Sequence, residues 1–345
     1  MSNYFSYLNV RPTAEALKER FGRELDKLMT LDFNLGGRTA QLYALERAGS
    51  NHAGSTDFAA KLVSSVGAAD IAILVTGWSV RPHIDVSIGE VDGPPGAAAI
   101  ARALFLARGC ASIVVTAKPL VSQTAAAFRA AGAVVVNRDA IHALRGTSTK
   151  LFAVAVEGFE LDCDLDDQFR GLLSLAAPRV ALAVEHFGFA ADGNAYLSTG
   201  TAISRGVLHT DTLFLMAAEQ GALCGACVDN PNEAGTARLH NSLAKHPPMK
   251  DDFENILVGS SANMAAYALA AAIGGLAGRP DAAFTGRLDE AAVAATFANG
   301  AIDPFSGSAD PISGVDTLEP PYHTYVTDLM ARMAHGYCNA MSLVA

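Results

Sequence analysis

Apolar positions along this chain change their spacing several times, and each change marks an element. Over 13–29, Leu17, Phe21, Leu25 and Leu28 recur at intervals of three and four, which predicts one amphipathic helix. Leu35-Gly-Gly-Arg38 breaks that pattern, and Thr56-Asp57 offers a cap for a second helix ending at Ser65. Short apolar runs then alternate with helical stretches. Runs at 71–76, 113–116, 134–136, 151–156, 180–184, 223–228 and 256–258 predict strands. Helical patterns at 94–107, 122–131, 165–175, 210–220, 232–242 and 262–273 fall between them. Pro94 stands in a first helical turn, where its missing N–H costs nothing, and Gly132 supplies a C-cap. Strands that are apolar almost throughout, separated by helices, predict an α/β fold with a mostly parallel, doubly wound sheet covered on both faces. The 280–320 stretch is rich in Gly, Asp, Ser and Pro and reads as a long loop or connection before a final helix at 322–333.

That fold class directs attention to the loops after the strands, because such sheets bind ligands at the carboxyl ends of their strands. The expected organisation is an N-terminal helical segment at 1–50 and an α/β catalytic domain at 51–345. A division of that domain into lobes at about 51–178 and 179–345 stays open. Half of the residues are hydrophobic and only 17% are charged, so much of the chain should be buried. A net charge of −10 and the lack of a basic patch argue against nucleic acid, whose phosphates need neutralising. The longest candidate for a membrane span, 264–277, is too short and Ala/Gly-rich, and 1–20 lacks the apolar core of a signal peptide. Five widely spaced cysteines give no disulfide framework. These features lead us to expect a cytoplasmic protein, and its Ala/Gly-rich composition is compatible with a homo-oligomer.

Four polar segments follow predicted strands. The first is the loop Gly77 to Gly96, where Glu90 and Asp92 precede a helix and Arg81 and His83 add a cation and a titratable donor. A helix N-terminus beyond a Gly-Pro turn favours a bound carboxylate or phosphate; the plainer alternative is Asp92 as an N-cap. The second is Asp229-Asn-Pro-Asn232-Glu233. Carboxylates and amides this close suit oxygen coordination of a divalent cation by Asp229 and Glu233, or an acid/base pair with separated pKa values; the alternative is a capping box. The third is Glu185-His186 with the Asp192-Gly193 turn, where the histidine is either a proton carrier or a structural residue. The fourth is the turn Gly259 to Asn263. There Ser260, Ser261 and Asn263 offer substrate donors, or Ser261 simply caps a helix.

Other chemistry is poorly supported. Cys224-Gly-Ala-Cys227 has C-x-x-C spacing but falls inside a predicted strand, whereas redox pairs occupy helix N-termini. There is no nucleophile elbow, P-loop or G-x-G-x-x-G, so no motif supports a nucleotide cofactor.

Leu74-Val-Thr76-Gly77 followed by Glu90-Val-Asp92-Gly-Pro-Pro-Gly96-Ala resembles the N-terminal signature of the D-glutamate cyclase family. Ala191-Asp192-Gly193, Asp211 to Phe214, Asp229 to Glu233 and Gly259 to Tyr267 resemble its later blocks in order. Gly300-Ala-Ile-Asp303 and Gly314-Val-Asp316 resemble its C-terminal segment. The resemblance spans about 74–318. It implies intramolecular amide formation, D-glutamate to 5-oxo-D-proline with loss of water. Three blocks depart from the pattern. Asp229-Asn-Pro-Asn232 replaces a Gly-rich turn, Met264-Ala-Ala-Tyr267 replaces Trp-Gly-Gly-Tyr, and Asp303-Pro304 replaces Asp-Gly. The fold therefore transfers more securely than the substrate.

Three functions fit these observations. One is a lyase that makes or opens a small lactam on a carboxylate-bearing metabolite. Glu90, Asp92, Asp229 and Glu233 would do the chemistry there, while Arg81, His83, Asn232, Ser260, Ser261 and Asn263 bind substrate. The second is a hydrolase of a cyclic amide or lactone that uses Mn²⁺ or Mg²⁺. The third is a binding module for a small anionic metabolite.

Overall fold

In a computed structural model, residues 12–147, 150–242 and 244–344 are described. The expectation of no leader at 1–20 falls largely outside them. In chain order the strands are β1 (Ile71–Thr76), β2 (Gly89–Glu90), β3 (Ala111–Ala117), β4 (Val134–Val136), β5 (Ala153–Phe159) and β6 (Val180–Val184). They continue with β7 (Ala195–Tyr196), β8 (Ala202–Ile203), β9 (Leu223–Val228), β10 (Asn255–Val258) and β11 (Ala301–Ile302). The helices begin with α1 (Ala14–Met29), α2 (Arg38–Glu46), α3 (Gly54–Ser65), α4 (Pro94–Arg108), α5 (Val121–Ala130) and α6 (Arg138–Leu144). They end with α7 (Asp166–Ala176), α8 (Asp211–Glu219), α9 (Ala262–Leu276), α10 (Gly286–Ala298) and α11 (Pro320–Met341).

Seven strands form one sheet in the order β10-β9-β6-β1-β3-β5-β4, and every pairing is parallel. Alternation along β1 divides the core. Ala72 and Leu74 join one apolar cluster with α1, α3, α4, α9 and α11, while Ile71, Ile73 and Val75 join another with α7 and α8. Both faces are therefore covered, as the continuous apolar runs required. After β1 the chain winds outward through β3, and after β5 it returns to place β6 on the other side of β1. The sheet's switch point thus lies between β1 and β6, where doubly wound folds bind ligands. No helix among the described residues is long and apolar enough to cross a membrane.

Several elements differ from the sequence pattern. The 232–242 stretch is not a helix; only Ala237–Leu239 makes a 3₁₀ turn. Gly235 takes a left-handed φ of 79°, and Phe187↔Glu233 and Thr236↔Asp252 are bridged instead. The 280–320 stretch contains α10, capped by Thr285, whose side chain accepts from Leu288 N. α2 starts straight after Gly37, and α6 is capped by Asn137. The start of α3 is held by Asp26 of α1, whose carboxylate accepts from Gly54 N at 2.7 Å and Ser55 N at 3.1 Å.

One cross-chain clasp fixes the loop after β1. Asp92 accepts from the first N–H groups of α9, Ala262 at 2.8 Å and Asn263 at 2.9 Å. Asn263 Oδ1 in return accepts from Gly93 N at 3.1 Å and Gly96 N at 2.7 Å at the start of α4. Each helix thereby satisfies orphan donors of the other. The seam between α4 and α9 is Ala/Gly-rich, and a Cβ at Gly96 would come within 2.9 Å of Ala266 Cβ. Gly93 is more constrained still. Its φ is 99°, and a Cβ there would meet Glu185 Cβ and Thr76 Oγ1 at 2.8 Å.

Gly93→Ala is therefore expected to destabilise the protein by about 2 kcal/mol or more, through backbone strain plus overpacking. Gly132→Ala, with a similar φ of 93° but open space around it, should cost only the backbone part, about 1 kcal/mol. Urea denaturation measures both, and equal losses would show that the contacts around Gly93 are not limiting.

Candidate active site

The carboxyl ends of four neighbouring strands deliver acidic or polar groups to one place. The β1 loop brings Glu90 and Asp92, β6 ends just before Glu185, β9 ends before Asp229 to Glu233, and β10 leads into Ser260 and Ser261. β11 pairs with β2, which carries Glu90, and so brings in Asp303; the turn before α11 adds Asp316. The acidic turns near 90 and 230 therefore meet. One carboxylate oxygen from each of Asp92, Asp229 and Asp316 lies within 4.8 Å of the others, as do oxygens of Glu185, Asp229 and Glu233. A cavity of about 380 Å³ reaches the cluster, with Arg38, Asp229, Ser260, Ser261, Phe305 and Asp316 in its wall.

Local bonding gives these groups different characters. Glu233 Oε1 accepts from Asp229 N at 2.8 Å and Asn230 N at 2.7 Å, while its Oε2 is buried without a partner. That arrangement folds the 229–233 turn around its own carboxylate instead of starting a helix. Glu90 Oε2 and Glu185 Oε2 are also buried and unpartnered. Glu185 reaches its position with a left-handed φ of 45°, a strained conformation for a residue with a Cβ. Asp229 accepts from Asn230 Nδ2 and stands 3.7 Å from the half-exposed guanidinium of Arg38.

Proton affinities follow from this environment. Burial, then the charges of Asp92, Asp229 and Asp303, hold the Glu90 carboxyl well above the usual range. Burial, then Glu233 and Asp229, does the same to Glu185; burial, then Asp229, raises Glu233 against its two backbone donors. Asp316, half-buried at the cavity, is raised by enclosure and then by Asp92, Asp229 and Glu90. Asp92 is pushed up only to about 6, by burial and Asp229, because the amides of Asn263 and Ala262 hold it down. Burial raises Asp229 as well, opposed by Arg38. The neighbouring His186 is depressed to about 4 by burial and is neutral near neutral pH. Behind Asp92, Tyr267 Oη donates to Asp289 at 2.8 Å, and the other Asp289 oxygen is 2.8 Å from His323 Nδ1, which ties α9, α10 and α11 together and leaves His323 Nε2 buried without a partner.

The remaining sequence candidates separate. Asn232 donates to the carbonyl of Tyr196 at 2.8 Å and leaves Oδ1 buried without a partner; Ser260 Oγ is likewise unpartnered. Ser261 lines the cavity and also caps α9, accepting from Met264 N. Asn263 is committed to the clasp. Arg81 donates to the carbonyls of Val80 and Pro304, and His83 is exposed; neither lines this cavity. The cation in the cavity wall is Arg38, at the first position of α2, a helix the apolar pattern did not reveal. Glu185 was legible only as one half of an ambiguous Glu-His pair, and Asp303 and Asp316 only through family-like blocks. Cys224 and Cys227 lie within β9. Burial raises both thiols, Cys224 to about 11, so neither is a thiolate near neutral pH.

Fold and site together define a doubly wound α/β protein with a buried polycarboxylate centre at the switch point of its sheet. A family model described as D-glutamate cyclase-like, C-terminal, matches residues 25–330, and the chain belongs to that family. Comparison with individually curated proteins gave no match.

The raised carboxyls make a thermodynamic prediction for protein kept in chelator. Above about pH 6.5 the unfolded chain has released these protons while the folded chain still holds some, so stability falls as pH rises. Each group still protonated when folded removes about 1.4 kcal/mol per pH unit. His186 acts in the opposite direction only at lower pH, because it is depressed. The melting temperature should therefore drop as the pH rises above about 6.5. A flat or rising profile by calorimetry would show that the cluster ionises without cost.

Proposed function

We propose that this protein is a lyase-type enzyme that closes or opens a small lactam on a carboxylate-bearing metabolite, with D-glutamate and 5-oxo-D-proline as the reference pair. The observation that carries this reading is the grading of one carboxylate cluster into groups that hold protons and groups that release them, beside a cavity walled by one guanidinium. Family membership supports the same reaction type.

Ring closure moves two protons from the amine nitrogen to the departing oxygen, which leaves as water. Glu90 is the proton carrier. Its raised pKa lets it give a proton to the oxygen and regain one from the nitrogen, so each round returns it to its starting state and two rounds move both protons. Asp92, with both oxygens bound to α9, holds the loop that presents Glu90. Arg38 clamps the substrate's second carboxylate in the position the sequence reading gave to Arg81. Ser260, whose Oγ has no protein partner, supplies a donor for the tetrahedral oxyanion. Asp229 and Glu233, hard oxygen donors with few partners, are the residues to hold a divalent cation, Mn²⁺ or Mg²⁺. When bound, such a cation supplies Lewis-acid polarisation of the reacting carboxyl and takes up the cluster's charge. Opening the ring uses the same groups in reverse.

The test is conversion between D-glutamate and 5-oxo-D-proline, followed by NMR in both directions with Mn²⁺ or Mg²⁺ present. Glu90→Gln should lower kcat by about 10²-fold or more without lowering the melting temperature. Undiminished turnover in that variant would remove Glu90 from the mechanism. No conversion in either direction by the parent protein would remove this substrate pair.

A further inference from the structure

The cavity at the acidic centre is lined by two kinds of side chain. Arg38 and Ser260 belong to its polar part, while Leu31, Phe33 and Phe305 are large apolar residues in the same wall. These three are unusually open to solvent: Leu31 is 39% exposed, Phe33 41% and Phe305 65%. Apolar side chains grouped in the wall of a pocket mark a binding surface, whereas single ones scattered over a protein do not.

Both aromatic rings are carried by turns with their own internal bonding. The carboxylate of Asp32 accepts from Gly36 N at 3.2 Å and from Gly37 N, and its carbonyl accepts from Leu35 N at 3.2 Å. The turn that carries Phe33 therefore leads straight into Arg38. Around Phe305, the carboxylate of Asp303 accepts from Ser306 N at 2.7 Å, and its carbonyl accepts from Gly307 N at 2.9 Å. Arg81, which does not line the cavity, donates to the carbonyl of Pro304 at 2.8 Å and holds the same turn. Asn34 Nδ2 donates to Thr317 Oγ1 at 3.1 Å and ties the Phe33 turn to the segment after Phe305. The backbone that places Arg38 and Asp303 thus also fixes the two phenylalanines.

Glutamate and 5-oxoproline make little use of such a wall. Beyond the reacting atoms and the carboxylate that Arg38 takes, they offer only a short carbon chain. A cavity of about 380 Å³ lies in the range that encloses ligands of drug size. Water left against three apolar side chains is unfavourable, and an apolar group on the ligand displaces it.

We propose that the substrate is a glutamate-type amino acid, or its lactam, that carries an apolar substituent on its carbon chain. Arg38 takes the carboxylate, Glu90 and Ser260 serve the reacting amide, and the substituent lies against Phe33, Phe305 and Leu31. Atoms balance as in the parent reaction: the C–N bond forms, the carboxyl C–O bond breaks, and water leaves with both protons from nitrogen. The inference rests on the lactam reading and adds the class of substrate to it.

The experiment is isothermal titration calorimetry of the full chain in Mn²⁺ with two ligands. One is 5-oxo-D-proline, read by competition; the other is the same lactam with a benzyl group on the ring carbon next to the lactam carbonyl. The benzyl lactam should bind about tenfold or more tighter, the gain from removing one phenyl group from water. In the double variant Phe33→Ala, Phe305→Ala the ratio of the two affinities should fall toward one. Arg38→Ala should weaken both ligands and keep the ratio. Circular dichroism melts check folding, and the two single variants carry the comparison if the double variant does not fold. Equal, weaker or absent binding of the benzyl lactam overturns the inference, as does a ratio that survives the aromatic substitutions. A changed oligomeric state of the double variant in size-exclusion chromatography also overturns it, because the wall would then be a contact between copies. None of these outcomes touches conversion of D-glutamate, whereas absent conversion of both lactams with the affinity ratio intact would overturn the lactam reading alone.

Discussion

The exchange of hydrogen bonds between Asp92 and Asn263 is the constraint on which the rest of this molecule depends. It joins the N-termini of two long helices that are remote in sequence, and it directs the positive ends of both toward one spot on the sheet. Without it, the loop after β1 has no fixed course and Glu90 no fixed address. The small residues of the α4–α9 seam exist to let this exchange happen at close range. The backbone at Gly93 is the part with least freedom.

From that anchor the electrostatics follow. Carboxylates are costly to bury, and this chain buries several within reach of one another. It manages the cost in graded ways. Asp92 receives two amides, Glu233 receives two on one oxygen, and Glu90 and Glu185 retain a free oxygen and hold their protons strongly. Such grading is what separates a proton carrier from a ligand among chemically identical groups. A structural salt-bridge network would distribute cations among these acids; among the described residues Arg38 is the one arginine or lysine paired with them, and it faces the cavity.

Much of the scaffold was legible in the sequence because its signals are local. β1, β4, β6 and β9 have the limits their apolar runs gave, and α1 starts at the Thr13 cap. Glu90, Asp92, Asp229 and Glu233 were visible because a doubly wound sheet concentrates function after its strands. Non-local constraints were not visible. The 232–242 stretch has helical composition, yet Glu233 folds back on its own turn and Gly235 turns the chain away. Arg38 follows two glycines that read as a break, although Gly37 precedes a helix. Asp316 reaches the site from a loop, and nothing in its neighbours' spacing shows that it stands beside Asp92.

The wall of the cavity has a consequence for how the protein comes into being. Phe305, Val315 and Asp316 close one side of it, and they belong to the last stretch before α11. A nascent chain emerging from the ribosome can assemble the sheet well before those residues appear, but its acidic centre lacks a side until they do. Products truncated before these residues therefore carry an open, incomplete centre.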